Sequence, residues 1–554
     1  MAMYIRITKN SKGEGYYHLL ESYWEDGQCK KRMLLSLGKV GEDKLDNLAQ
    51  AISKHRDLMT VTQMAKEISV EQTFILGPLL VLEKIFDLLG INKIAEEILA
   101  THRKIEFDFR KILFTLVLCR FVKPSSKLKV FEHWQKAFYP EMLEPELGLH
   151  QIYRALDLLA DHKEEIEKSL YWRDRNLLNI KTDIVLYDLT TLRFESTKET
   201  ENLRRFGYSK EMRTDCTQVV FGLLLDTEGI PLGFEVYPGN TFEGTTLTSI
   251  VTKIKAKFQV GRIIFIADRG LFSKKNLELL RADDGEFIVG HRIGSMKARH
   301  KEDLYNLNNY NWLVKDELAV FETLTEEQDR LIVTWSRVRA ERDAKTREDI
   351  LKKIKNKLSK KRVDPKTFVS NRNYQKYLTG LSEGKPELNE EVVKAQSRKD
   401  GFFGIVTNVK ELSAEQIVTN YKELWKIEDA FGELKGTLKS RPIFHWTDHR
   451  IVGHLVVCFL AYFCEAHITK QLREKNLTLE SPAIADRTIK PRKLTVVEAL
   501  KELTEVRAVP VQIKNQTIWT RTDINGNAVA LLRAIGAAIP PKILKITKNP
   551  GHTE

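Results

Sequence analysis

In the stretch YKELWKIEDAFGELK, Tyr421, Glu428 and Lys435 recur at intervals of seven residues. With no proline, and no glycine before Gly432, the stretch is expected to form one helix. At 3.6 residues per turn the three side chains then lie near one face. That face also carries Leu424, Trp425 and Phe431, so an acid and a base sit on an otherwise apolar, aromatic stripe. A carboxylate buried there is costly unless a cation meets it. Asp188 and Asp268 each follow an apolar run, DIVLY and RIIFIA, and are expected at strand ends, where open sheets place their chemistry. Either aspartate alone also reads as a turn or helix cap. Together with Glu428 they form a three-carboxylate set from two strands and one helix. Converging carboxylates repel, and one would take up a proton unless divalent cations intervene. Mg²⁺, with Mn²⁺ as substitute, prefers oxygen ligands and keeps positions open for water and phosphate. Two such ions, about 3.5–4 Å apart, would activate a nucleophile and stabilise the leaving oxygen of a phosphodiester.

These residues need a scaffold. DIVLYDLTTLRFES is an apolar run ending in a polar turn, and TQVVFGLLLD with IPLGFEVYPGN suggests a hairpin around Thr227–Gly229. RIIFIAD and FIVGHRI are further strands, with helical patterns near 243–258 and Ser273–Arg281. The order strand-strand-strand-helix-strand-helix-strand predicts an α/β fold with a mixed sheet, at least one strand being buried on both faces. Residues 181–293 form the first part of this core. Residues 401–475 form the second, with the strand DGFFGIVTN, the Glu428 helix and an apolar helix over about Arg450–Glu474. Ser413 and Gln416 match a capping box at the start of SAEQIVTNY. Residues 294–400 read as an inserted domain, with strand-like LAVFETL and RLIVTWSRV. In its charged stretch, Arg337 to Arg362, Lys and Arg outnumber Asp and Glu, which suits phosphate. Residues 1–45 read as a small β unit, 46–180 as a helical domain and 476–554 as an α+β region.

A chain of 554 residues exceeds one core, and a hydrophobic share of 42% excludes wholesale disorder. No uninterrupted apolar run reaches the roughly 18 residues of a membrane span. The longest, Ile451–Ile468, is broken by Gly453, His454, Glu465 and His467. The N-terminus lacks a signal peptide's apolar core. Cys29, Cys119, Cys216, Cys458 and Cys464 form no CxxC, so a reduced, cytoplasmic protein is expected. The net charge of +13 suits a polyanionic partner, because each Lys or Arg meeting a phosphate releases counterions. Basic residues of the helical block, among them Arg120, Lys127 and Lys129, could contact DNA; on that block alone a solvated face is the favoured reading.

The sequence resembles the DDE transposases of bacterial insertion sequences, in the subgroup with a Tyr-x2-Arg-x3-Glu-x6-Lys signature. Tyr421, Glu428 and Lys435 fall on that signature; YDLTTLRFES and IADRGLFS resemble the family's two Asp blocks, and RPIFH (Arg441–His445) extends the likeness. The resemblance implies an RNase H-like core with a β-rich insertion between the second Asp and the Glu. It implies metal ligation and catalysis by Asp188, Asp268 and Glu428, and phosphate contacts from Tyr421 and Lys435. Lys439 and Arg269 are further DNA-binding candidates, Arg269 reading equally as a structural ion pair. The implied partners are double-stranded DNA, as transposon ends and target, and a second copy in a homodimer. The helical domain would read the ends, and the protein would work at the bacterial nucleoid. One position departs: the signature Arg is Leu424, leaving its phosphate role to Lys422 or Lys426, neither in register.

Relatives of this type stack a splayed base on an aromatic of the insertion. Trp312 and Trp335 are candidates, although a β-rich unit more often buries its tryptophans. His445, His449 and His454, without cysteines, make a poor zinc pattern. A non-catalytic DNA-binding descendant would be expected to have lost a carboxylate. A plain nuclease of the same fold would not need such large flanking regions. A glycosidase would explain neither the charge nor the Lys435 spacing.

Overall fold

The computed structural model describes residues 2–38 and 68–548, apart from residues 10, 26, 71, 103, 144–145, 175–182, 210–211, most of 243–261, 269, 271–273, 283–284, 296–302, 360–367, 369–371, 382–384, 481–491 and 514–515. The chain forms two units. One is Met1–Thr73 with Ala508–Thr522 and Pro541–Glu554; the other is Phe74–Arg507 with Asp523–Pro540.

In the first unit, β1 (Ala2–Lys9), β2 (Gly15–Glu25) and β3 (Gln28–Gly38) form an antiparallel meander in that order. Its first turn contains Gly13, at φ 80°. The unit also holds β4 (Ile68–Ser69).

The second unit opens with β5 (Phe74–Ile75) and a helical block: α1 (Gly77–Leu88), α2 (Ile91–Thr101), α3 (Phe109–Val122), α4 (Leu149–Asp161) and α5 (Lys163–Asp174). Asp108 starts α3 by accepting a hydrogen bond from the Lys111 amide.

The core sheet follows. Its strands are β6 (Asp183–Arg193), β7 (Gln218–Leu225), β8 (Pro231–Pro238), β9 (Ile263–Ala267) and β10 (Glu286–His291). α6 (Lys274–Ala282) connects the last two. β6, β7 and β8 are antiparallel neighbours, whereas β9 runs parallel to β6 and β10 parallel to β9. This is the RNase H-like arrangement. All of β7 and β9 is buried, which explains why they read as unbroken apolar runs.

The segment before the final helices extends the same sheet. β11 (Asn311–Val314), β12 (Leu318–Leu324) and β13 (Arg330–Ser336) lead into the long helix α7 (Arg337–Leu358). β14 (Leu378–Thr379) and β15 (Glu387–Leu388) form a small hairpin before α8 (Glu390–Ser397). β16 (Phe402–Thr407) lies between β10 and β13, so the sheet runs β11-β12-β13-β16-β10-β9-β6-β7-β8. Of the strands within residues 294–400, β11, β12 and β13 therefore join the core sheet edge to edge, whereas β14 and β15 pair only with each other.

α9 (Ala414–Lys422) begins with Ser413 and Gln416 in a capping box, as expected. It is followed by α10 (Trp425–Lys435) and α11 (Asp448–Glu474). α11 is long and apolar enough to cross a membrane by length and composition, yet it is almost wholly buried as the central core helix. It packs on α3, α4 and β8. At Gly453 the approach is so close that a Cβ would lie 2.0 Å from the Leu156 carbonyl oxygen, so only glycine fits. α10 turns Ile427, Ala430, Phe431 and Leu434 inward, and Phe431 meets Phe221 of β7 edge to face. The opposite face of the sheet buries Val185, Tyr187, Leu189, Phe258 and Phe265. α12 (Val496–Glu502) and α13 (Asn527–Ala534) complete this unit; β17 (Arg507–Ile513), β18 (Gln516–Arg521) and β19 (Ile543–Lys548) pair in the other.

Candidate active site

Leu186 of β6 pairs with Ile266 of β9. Asp188 and Asp268 each lie two residues further along parallel neighbours, so they occupy matching positions. Asp268 stands just past the end of β9, as expected. Asp188 does not end its strand: β6 continues to Arg193, paired with β7, after β9 has stopped. The strand mismatch leaves Asp188 at an open shoulder of the sheet. Its Oδ1 accepts the Leu189 amide over 2.7 Å.

The stretch from Tyr421 to Lys435 is not one helix. α9 ends at Lys422, and the chain turns through Glu423 and Leu424 before α10 starts. Across the turn the bonds shorten to i→i+3, Leu424 to Tyr421 at 3.2 Å and Ile427 to Leu424 at 3.1 Å. Tyr421 therefore belongs to α9, whereas Glu428 lies in the first turn of α10, where the helix dipole favours an acid. Glu428 and Asp268 are exposed, so the expectation of a buried carboxylate calling for a cation fails. Phe431 is buried, and Trp425 is 57% exposed.

Asp188, Asp268 and Glu428 nonetheless line one cavity of about 490 Å³, together with Tyr421, Leu424 and Trp425. The Tyr421 hydroxyl donates to Asp268 Oδ1 over 3.4 Å. Lys435 donates to Thr190 Oγ1, two residues along β6 from Asp188, and so pins α10 to that face. Among the described residues no group of three His, Cys, Asp or Glu side chains is placed to hold a metal ion as it stands. The donor chemistry still fits a hard cation: three carboxylates, from two strands and a helix, face a water-accessible cavity.

Two basic residues that sequence reasoning did not single out stand on the same cavity wall. Arg339 and Arg342 come from the first turns of α7. The Arg339 guanidinium lies over the Phe403 ring at 4.6 Å, and Phe403 packs on Tyr421 with ring centroids 5.3 Å apart. The positive bias from Arg337 to Arg362 was the available signal; the position of these two residues depends on strand pairing far away in sequence. Lys422 lines the cavity too. Lys426 is not among the cavity's lining residues: it donates to the Thr227 carbonyl and pairs with Glu423 at 2.5 Å.

Arg269 lies outside the described residues. Lys439 is exposed beyond α10, away from the carboxylates and beside a second cavity. Trp312 and Trp335 pack edge to face on one another, ring centroids 5.7 Å apart. The histidines have structural partners: His449 bonds to Asp161 and His454 to Lys127, while burial pushes His445 down to about 3.

The family described as transposase DDE domain matches residues 179–464, slightly more than half of the chain, and the IS1634 family transposase N-terminal domain matches residues 5–63. No curated protein matches. Among solved structures, the piggyBac transposase synaptic complex with hairpin DNA aligns over 78% of this chain and 82% of that one, at 9% identity and a TM-score of 0.36.

Proposed function

The chain belongs to the DDE transposases of bacterial insertion sequences, and from that premise we propose how it acts. As a homodimer on the bacterial nucleoid, it binds the terminal inverted repeats of its element. It hydrolyses a phosphodiester at each end, then joins the freed 3′-hydroxyl to target DNA by two-metal catalysis. The observation that supports this most is the matched register of Asp188 and Asp268 on parallel strands, with Glu428 on the same cavity.

Asp188, Asp268 and Glu428 would hold Mg²⁺ or Mn²⁺, which supplies charge neutralisation for phosphate oxygens and a water of lowered pKa. The remaining residues orient the strand. Arg339, Arg342 and Lys422 make the cavity's basic wall and hold DNA phosphates. Tyr421 fixes the Asp268 carboxylate, and its hydroxyl, with the Lys435 ammonium, is close enough to the site to serve a phosphate near the cleaved end. Trp425 offers an exposed flat surface on which a base can stack.

The test compares the full-length protein with Asp188→Asn, Asp268→Asn and Glu428→Gln on a labelled duplex carrying the element's end. All three should bind the duplex and yield neither cleaved nor joined products with Mg²⁺, and calorimetry should record lost Mn²⁺ binding. Full cleavage by Glu428→Gln overturns the assignment. Cleavage without joining by the natural sequence would leave a plain nuclease of the same fold.

A further inference from the structure

A second cavity, of about 510 Å³, lies between the end of α3, the segment 124–129 and the segment 439–445 that follows α10. Arg120, Lys127, Lys129, Lys439 and Arg441 line it, with no Asp or Glu. Two of these cations are not on a solvated face at all: Arg120 is 4% and Lys127 3% exposed. Arg120 donates to the Lys439 carbonyl at 3.1 Å and the Ser125 carbonyl at 2.6 Å. Its buried Nε has no hydrogen-bond partner among the described residues, nor has the Ser440 hydroxyl beside the site.

Lys127 Nζ lies 2.9 Å from His454 Nδ1, and His454 Nε2 lies 3.1 Å from the Ser440 carbonyl. A carbonyl only accepts, so Nε2 carries the hydrogen and Nδ1 accepts from Lys127. His454 is thus neutral and offsets no charge. Two buried cations lined by no carboxylate are costly unless an anion arrives from outside. The cost is visible at Lys127, whose ammonium is pushed down to about 7 by burial and by Arg120.

We infer that this cavity holds a backbone phosphate of bound DNA, with Arg120 and Lys127 as buried donors and Lys129 and Lys439 at its rim. A tetrahedral oxyanion matches the clustered N–H donors. The exposed Phe444 at the same opening favours a nucleotide over a free ion, since it gives an apolar surface for sugar or base. The inference rests on the reading that the chain acts on DNA. It adds an anchor separate from the carboxylate cavity.

The experiment measures binding of a short fluorescent duplex by the full-length protein, as natural sequence, Lys127→Met and Lys129→Gln/Lys439→Gln, across a salt series. Each variant should bind roughly tenfold more weakly, with the slope of log K against log salt reduced by about 1 per lost contact. Unchanged affinity and slope in both variants would overturn the site, while Mg²⁺-dependent cleavage by the natural sequence would still stand for the catalytic reading. If Lys127→Met does not fold, the exposed rim variant decides alone. Inorganic phosphate tested on the same proteins separates the sources. If it raises the Tm of the natural sequence but not of Lys127→Met, and DNA affinity is unmoved, the occupant is a free anion and the DNA assignment falls.

Discussion

The Tyr421 hydroxyl donates to Asp268 Oδ1 over 3.4 Å, tying the end of α9 to the end of β9. Tyr421 is itself held by Phe403, which lies under Arg339, so one chain of contacts runs from the basic wall to a carboxylate. Groups that orient a metal-binding carboxylate typically change affinity or activity about 10–100-fold when removed. Tyr421→Phe keeps the ring and loses only the hydroxyl. It should raise the Mg²⁺ concentration needed for half-maximal cleavage about tenfold, with duplex affinity nearly unchanged. Loss of duplex binding with unchanged Mg²⁺ dependence would make Tyr421 a phosphate contact only.

Gly290 of β10 gives an independent handle on the same hydroxyl. A Cβ there would lie 2.5 Å from the Tyr421 oxygen and 3.3 Å from the Phe403 ring. Gly290→Ala must therefore push Tyr421 off Asp268. The two substitutions disable one interaction, so Gly290→Ala/Tyr421→Phe should lose no more cleavage than the worse single variant. Multiplied losses would show that Gly290 matters for another reason.

Much of this site is legible in the sequence because its strands obey local rules. IIFIA of β9 is buried on both faces, so it reads as an apolar run, and Asp268 marks where the run stops. The matching position of Asp188 is harder, because β6 stays a strand beyond it through its partner β7. The turn at Glu423–Leu424 contains neither Gly nor Pro. It accompanies tertiary contacts on either side, Tyr421 reaching Asp268 and Lys426 reaching Thr227. Arg339 and Arg342 show in the sequence only as part of a basic stretch, and their place at the cavity depends on β13 pairing with β16, Trp335 opposite Phe402.

That pairing bears on Leu424, which stands where the family signature has Arg. Leu424, Arg339 and Arg342 line the same cavity, so the arginines can supply the missing charge from a different element, α7. Arg342→Gln should weaken duplex binding about fivefold to tenfold and lower the salt slope by about 1. Adding Leu424→Arg to that variant should recover part of both. A combined variant no better than Arg342→Gln alone would separate the two positions.

Exposure sets what substitution of a proposed site carboxylate does to stability. Glu428 is exposed, with no hydrogen bond or ion pair among the described residues. Glu428→Gln should therefore leave stability within about 0.5 kcal/mol, measured by urea unfolding, while abolishing cleavage. A large loss of stability would mean that the carboxylate is structural.

Glu465 behaves in the opposite way. It is buried in α11, and burial, with Glu433 and Asp429 of α10 facing it, pushes its carboxyl up to about 8. Thr469 donates to its Oε1 at 2.9 Å, which only partly offsets the shift. Between the ordinary value of 4.5 and about 8 the folded protein holds a proton that the unfolded chain has released. Stability from this group is therefore complete below pH 4.5 and is lost as pH rises to about 8, with no further loss above. The loss is on the order of 3–5 kcal/mol at most. Glu465→Gln mimics the protonated carboxyl. Its Tm should fall less than that of the natural sequence as pH rises from about 5 to 9, and should exceed it at the alkaline end. Parallel Tm profiles would show that Glu465 is already ionised in the fold.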